Sequence, residues 1–90
     1  MTWKVEFSRA AERELDRLDP QHVRKLLVFL HDRLARLEDP RSLGEALKSP
    51  RFGEFWRYRI GDYRSVVCIE DERLIILVVR IGHRREVYKR

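Results

Sequence analysis

The residues able to do chemistry in this chain are arginines and a few ionisable aromatic side chains, gathered in its last third. From Trp56 to Ile60, aromatic and aliphatic residues alternate with Arg57 and Arg59, and a period of two places both arginines on one face of a strand. Gly61 and Asp62 then read as a glycine-first, two-residue hairpin, a register that sets Arg59 opposite Arg64 and Tyr58 opposite Ser65. Three guanidinium groups share one face, and His83, Arg84 and Tyr88 follow just after the last strand. Like charges that close repel, so stability alone gains nothing from the cluster, whereas an anionic partner reverses the sign. Read singly, each is a solvated arginine on an open sheet face, where most charged residues lie. Read together, they favour a phosphate-binding site.

A basic and aromatic set of this kind can cleave RNA without a metal. The 2′-hydroxyl is an internal nucleophile, arginines neutralise the charge that builds on phosphorus, and one ionisable side chain moves the protons. Arg57, Arg59, Arg64, Arg84, Tyr88 and His83 are the catalytic candidates. Lys48, Arg51, Trp56, Arg85, Lys89 and Arg90 are the candidates for holding the rest of an RNA strand. The chain has no glycine-rich phosphate loop, no Cys/His metal spacing, no paired carboxylates in distinct environments and no serine in a nucleophile turn, so no metal or cofactor is called for. His22 and His31 read as surface residues of a helix.

The elements that must position the cluster read as β-α-α-β-β-β, an α+β domain with a helical hairpin packed on one face of a small, mostly antiparallel twisted sheet. Trp3, Val5 and Phe7 alternate as a first strand. Ser8 caps a short helix whose apolar side carries Ala11, Leu15 and Leu18. Asp19 and Pro20 open a second helix, with a stripe of Val23, Leu26, Leu27, Leu30, Leu34 and Leu37 ending near Glu38. Residues 39–53, with two prolines and two glycines, read as a long irregular connection pinned by Leu43 and Leu47. After a polar turn at residues 70–73, the apolar run from Leu74 to Val79 reads as a central strand covered on both faces. The first strand belongs at the sheet edge or beside the last.

Ninety residues form a single domain, 1–90, large enough for a modest core. Twenty Lys and Arg against fifteen Asp and Glu leave a net charge of +5, which suits a polyanionic partner. Much of the excess lies at Arg80, Arg84, Arg85, Lys89 and Arg90. Cys68, the single cysteine, sits in an apolar strand pattern and reads as a packing residue in a reducing compartment. The opening residues lack the apolar core of a signal peptide, and no run approaches a membrane span, so the expectation is a soluble cytoplasmic protein.

Along its whole length the sequence resembles the RelE/ParE superfamily of bacterial toxin–antitoxin toxins, and within it the RelE branch. The likeness rests on the opening strand leading into Ser8-Arg9-Ala10-Ala11, the helix from Leu26 to Leu37, and the loop with Pro40 and Leu47. It rests above all on Gly61-Asp62-Tyr63-Arg64-Ser65-Val66-Val67 and Ile81-Gly82-His83-Arg84-Arg85-Glu86-Val87-Tyr88. The resemblance implies a toxin that enters the ribosomal A site and cuts messenger RNA there. It also implies a cognate antitoxin that binds it tightly, in a heterotetramer or larger assembly. The family's basic pair on the second strand matches Arg57 and Arg59, its third-strand arginine matches Arg64, and its closing arginine and tyrosine match Arg84 and Tyr88. Where relatives carry lysine, Arg57 and Arg59 are poor proton acceptors, which leaves His83 or Tyr88 to move the proton. Three alternatives stand beside this: a ParE-like inhibitor of DNA gyrase, a non-catalytic RNA-binding module, and a folded but inactive relative. An acidic, amphipathic partner segment would suit a cationic face flanked by Phe55, Trp56 and Tyr58.

Overall fold

The computed structural model describes residues 2–49 and 53–83. Strand β1 (Lys4–Phe7) leads through Ser8 into helix α1 (Arg9–Asp16), and helix α2 starts at Pro20 and is α-helical to Val28. The Ser8 hydroxyl accepts from the Ala11 amide at 3.1 Å, as the cap reading requires. Asp19 and Pro20 occupy the N-cap and first helical positions as expected.

The second helix does not run to Glu38 as one α-helix. It widens into a π turn at Phe29–Arg33 and tightens into a 3₁₀ turn at Leu34–Arg36. The apolar spacing explains the change. Leu26, Leu30, Leu34 and Ala35 are all buried, and a local change of pitch lets the consecutive pair Leu34 and Ala35 both join the core. The π turn ends at Arg33, which is exposed.

The expected connection at 39–53 is corrected by a fifth strand. Pro40–Leu43 is a 3₁₀ turn, and Glu45–Ser49 forms β2, antiparallel to β3 (Gly53–Ile60). Its sequence, Glu-Ala-Leu-Lys-Ser, has little intrinsic strand preference, so the pairing comes from the neighbour rather than from local propensity. Strands β4 (Tyr63–Glu70) and β5 (Ile75–His83) complete a sheet of order β1-β5-β4-β3-β2. Strand β1 lies at the edge and pairs in parallel with β5, so both expected placements hold. Strand β5 is interior, between β1 and β4, as the central-strand reading expects, and β4 holds the middle position.

The Gly61-Asp62 hairpin has the expected register, Arg59 opposite Arg64 and Tyr58 opposite Ser65, with Gly61 at φ +63°. Between β4 and β5 the register shifts at Val66/Val67, leaving Val79 as an extra residue on β5. Helix α1 satisfies the displaced backbone. The Ser8 amide donates to the Val78 carbonyl at 2.8 Å, and the Ser8 hydroxyl donates to the Val79 carbonyl at 3.0 Å. Glu14 accepts from the Ile81 amide at 2.8 Å and pairs with Arg80 at 3.1 Å. The path of β5 towards His83 is therefore set by α1.

The core lies between the helices and one sheet face, and contains Leu26, Leu30, Leu34, Tyr58, Val67, Ile76, Val78 and Ile81. Tyr58 is buried to 1% exposure, and its hydroxyl donates to the Pro40 carbonyl at 2.8 Å. Burial raises its pKa well above the usual phenol value. Among the described residues no helix is long and apolar enough to cross a membrane.

Candidate functional site

Because Tyr58 faces the helices, its neighbours Arg57 and Arg59 project to the opposite face, and register adds Arg64 beside Arg59. The three arginines leave the strands on one face, as the alternation predicted. Two of them meet one carboxylate. Glu45, the β2 partner of Arg57, lies 3.3 Å from Arg57 Nη2 and 3.8 Å from Arg59 Nε. Arg64 curls back over the hairpin, donating to the carbonyls of Gly61 at 3.2 Å and Tyr63 at 3.0 Å through one nitrogen. Three cations against one carboxylate leave the face positive.

Strand β2 reaches only as far as Glu45, so beyond Arg57 the edge of β3 is uncovered. A pocket of about 240 Å³ opens there, lined by Phe29, Arg33, Leu43, Glu45, Arg57 and Arg59. Arg33 is a residue the sequence reading passed over. It sits on the polar side of a helix, where a cation reads as solvated, and the structure places it in one pocket with the arginine pair.

Trp56 and His83 stand elsewhere. Trp56 packs towards the helices, half-buried, with the Arg41 guanidinium 5.9 Å from its ring centre. It does not join the arginine face, and nor does Tyr58, so the expected aromatic flanks reduce to Phe55. His83 pairs with Tyr63 across the strands, and their rings meet edge to face at 6.0 Å. The other neighbour of Tyr63 is the His22 ring at 4.9 Å. His83 is therefore grouped with Tyr63 and helix α2, on the face away from Arg64, and His22 is half-buried rather than a plain surface residue. His31 is exposed as expected. Arg84, Tyr88, Arg51, Arg85, Lys89 and Arg90, and the Lys48 side chain, lie outside the described residues.

The connection that carries Glu45 is held in place by Arg41. Its guanidinium bonds both oxygens of Asp71, at 3.0 and 2.6 Å, and reaches Asp39 at 3.3 Å. That pairing raises the Arg41 pKa and holds the Asp71 carboxyl below the usual range. Gly44 closes the link, because a Cβ there would fall 2.9 Å from the Tyr58 ring. The Asp71 turn is completed by Leu74 at φ +53°, a conformation leucine rarely takes, held there by core packing and by the bond from the Lys4 amide to its carbonyl.

Comparison with known proteins adds a lineage to this geometry. Residues 5–88 match the model of a family described as the ParE toxin of the type II toxin–antitoxin system parDE. The chain is 31% identical over 90 residues to Toxin RelG of Mycobacterium tuberculosis, spanning 100% of both. Its fold is similar to a chain of the Mycobacterium tuberculosis toxin–antitoxin complex RelBE2, with 28% identity and a TM-score of 0.83, covering 96% of this chain and 95% of that one. It is also similar to a chain of the archaeal RelE–RelB complex from Pyrococcus horikoshii OT3, at 26% identity and TM-score 0.71, covering 96% and 99%. The isolated E. coli RelE toxin, at 23% identity, TM-score 0.68 and coverage of 96% and 90%, shares the fold.

Proposed function

We propose that this chain, which belongs to the RelE branch of the RelE/ParE toxins of type II toxin–antitoxin systems, is a metal-independent endoribonuclease that cuts messenger RNA on the ribosome. One observation carries the reading: Arg57 and Arg59 converge on a single carboxylate, with Arg64 directly across the hairpin from Arg59. A phosphodiester is the anion such a set suits. The 2′-hydroxyl attacks the adjacent phosphorus and displaces the 5′-oxygen of the next nucleotide, giving a cyclic phosphate and a free hydroxyl. Arg57, Arg59, Arg64 and Arg84 stabilise the charge on the equatorial oxygens. Tyr88 is the proton-moving group in this scheme, because His83 packs against Tyr63 on the other face. Tyr88 also offers an aromatic face to a base.

The partner in this reading is an antitoxin. Support comes from the solved complexes of RelE-like chains, and from an apolar groove outside the helical pair, lined by Leu15, Leu18, Val23, Leu27 and Val28. Val28 is 51% exposed there, and Arg24 borders the groove, which suits an amphipathic acidic segment better than the expected Trp56 and Tyr58 flanks do.

The match to the parDE family model favours one competing function, poisoning of DNA gyrase, which needs no basic catalytic cluster. A cell-free translation reaction separates the two. The ribonuclease stops synthesis and leaves cut transcripts, and the Arg64→Ala, Arg84→Ala double variant does neither while keeping the wild-type circular dichroism spectrum. Intact transcripts with the wild-type protein, together with broken DNA in a gyrase assay, would refute the nuclease reading.

A further inference from the structure

We infer that the pocket at the open end of β3 is a seat for one phosphate of the RNA strand, formed by Arg33, Arg57 and Arg59, and that Glu45 holds this seat as a displaceable stand-in for the phosphate. The inference deepens the ribonuclease reading and rests on it for the identity of the strand. Three guanidinium groups line one pocket of about 240 Å³, and Glu45 is the acid among its lining residues. Arg33 makes no ion pair with another described residue. The Glu45 carboxylate spans two arginines at 3.3 and 3.8 Å, long for charge-assisted hydrogen bonds, and its side chain is 55% exposed. Ion pairs of this exposure are weak and cheap to break. A phosphate offers more acceptor oxygens than the carboxylate and reaches Arg33 as well. Phe29 and Leu43, the latter 42% exposed, form an apolar wall on which the attached nucleoside can rest.

Before RNA arrives, Glu45 lowers the repulsion between Arg57 and Arg59 and keeps their heads together. It also sets a threshold that weak anions do not pass. The carboxylate has two possible effects on binding, and they differ in sign. As a competitor it weakens RNA binding, so its removal tightens it. As a clamp that orients the arginines it strengthens binding, so its removal weakens it.

The test measures fluorescence anisotropy of a labelled single-stranded hexamer in which every 2′-hydroxyl is replaced by hydrogen, so that no cleavage occurs. Wild type, Glu45→Gln, Arg33→Ala and the double variant are compared between 50 and 200 mM salt. We expect Glu45→Gln to bind about two- to thirtyfold tighter, the range that loss of two weak ion pairs spans. Arg33→Ala weakens binding and lowers the salt slope by about 0.7, the value for one phosphate contact on a single strand. It also removes most of the gain from Glu45→Gln. Weaker binding by Glu45→Gln, or an unchanged salt slope for Arg33→Ala, overturns the assignment. So does unchanged hexamer affinity in both variants alongside a weakened complex with the antitoxin, which gives the pocket to a partner carboxylate. Because the hexamer cannot be cut, a protein that binds it in the expected pattern but leaves transcripts intact keeps the seat and loses the nuclease reading alone.

Discussion

Replacing Gly44 with alanine should damage the arginine face from the far side of the sheet. The new Cβ would lie 2.9 Å from Cε1 and Cζ of Tyr58 and 3.1 Å from its hydroxyl, closer than carbon atoms tolerate. Gly44 has φ −104° and ψ 171°, which alanine adopts without strain, so backbone stiffening favours the variant by about 0.4–1 kcal/mol. Overpacking a filled site costs about 1–3 kcal/mol. If the ring swings aside, the bond to the Pro40 carbonyl breaks, at a further cost of about 1 kcal/mol. The balance is a loss of about 2 kcal/mol, or about 8–16 °C in Tm for a domain of this size. Thermal unfolding followed by circular dichroism measures it. Since Tyr58 sits between Arg57 and Arg59 on β3, growth inhibition should fall in parallel. A second change, Tyr58→Leu, vacates the space that Cβ needs, so the double variant should lose less than the two single losses added together. A Gly44→Ala protein as stable as wild type, or a strictly additive double variant, would refute the claim that this contact fixes the strand.

Three further outcomes follow from the same geometry. Glu14→Ala leaves the Ile81 amide without its acceptor and frees Arg80, and should lower stability by about 1–3 kcal/mol in chemical denaturation, whereas Glu14→Gln, which keeps an acceptor, should recover part of the loss. The lowered pKa of Asp71 means that its contribution is present above the unfolded value of about 3.9 and disappears as pH falls through the folded value. In a Trp3→Phe background, Trp56 emission should therefore shift on acidification, and Asp71→Asn should already show the acid-form emission at pH 7. Replacing Arg59 and Arg64 together by glutamine removes a directly opposed like-charge pair, so Tm should stay level or rise by a few degrees while growth inhibition is lost; a clear fall in Tm would give the pair a structural role.

The legible parts of this fold were those written in local chemistry. The hairpin at Gly61 and Asp62 was readable because a glycine-first pair between two alternating runs admits few registers, and that register carried Arg59 and Arg64 to their observed places. The helix starts were readable because Ser8 suits an N-cap and Pro20 a first helical position, although Asp19 makes no side-chain capping bond. What escaped depends on neighbours distant in the chain. The Glu45–Ser49 strand is held by β3 and not by its own composition. The extra residue at Val79 is stabilised by Ser8 and Glu14, more than 60 positions away. Trp56 alternates with Arg57, so the same period that puts the arginines on one face puts its ring on the other, against the core. The place of His83 likewise depends on a residue distant in the chain, its cross-strand neighbour Tyr63, which belongs to the helix-facing row.

The division of β3 into two rows explains how a stable small domain can afford a repulsive cluster. Every second residue, Trp56, Tyr58 and Ile60, contributes to the core, and from Phe55 to Ile60 the strand is paired to β4. The arginines between them take their positions from that pairing, so their mutual repulsion, a fraction of a kcal/mol for each exposed pair, acts against burial terms of about 2 kcal/mol for each large core side chain. Burial wins, and the cluster is held in place whether or not its own charges favour it. A preorganised set of cations results, and that is the condition for stabilising charge that appears only in a transition state. Glu45 fits the same logic. Its backbone is anchored beside Gly44 and Arg41, so what can move at small cost is its exposed carboxylate, while the arginines it pairs with stand on the strand that the core holds fixed.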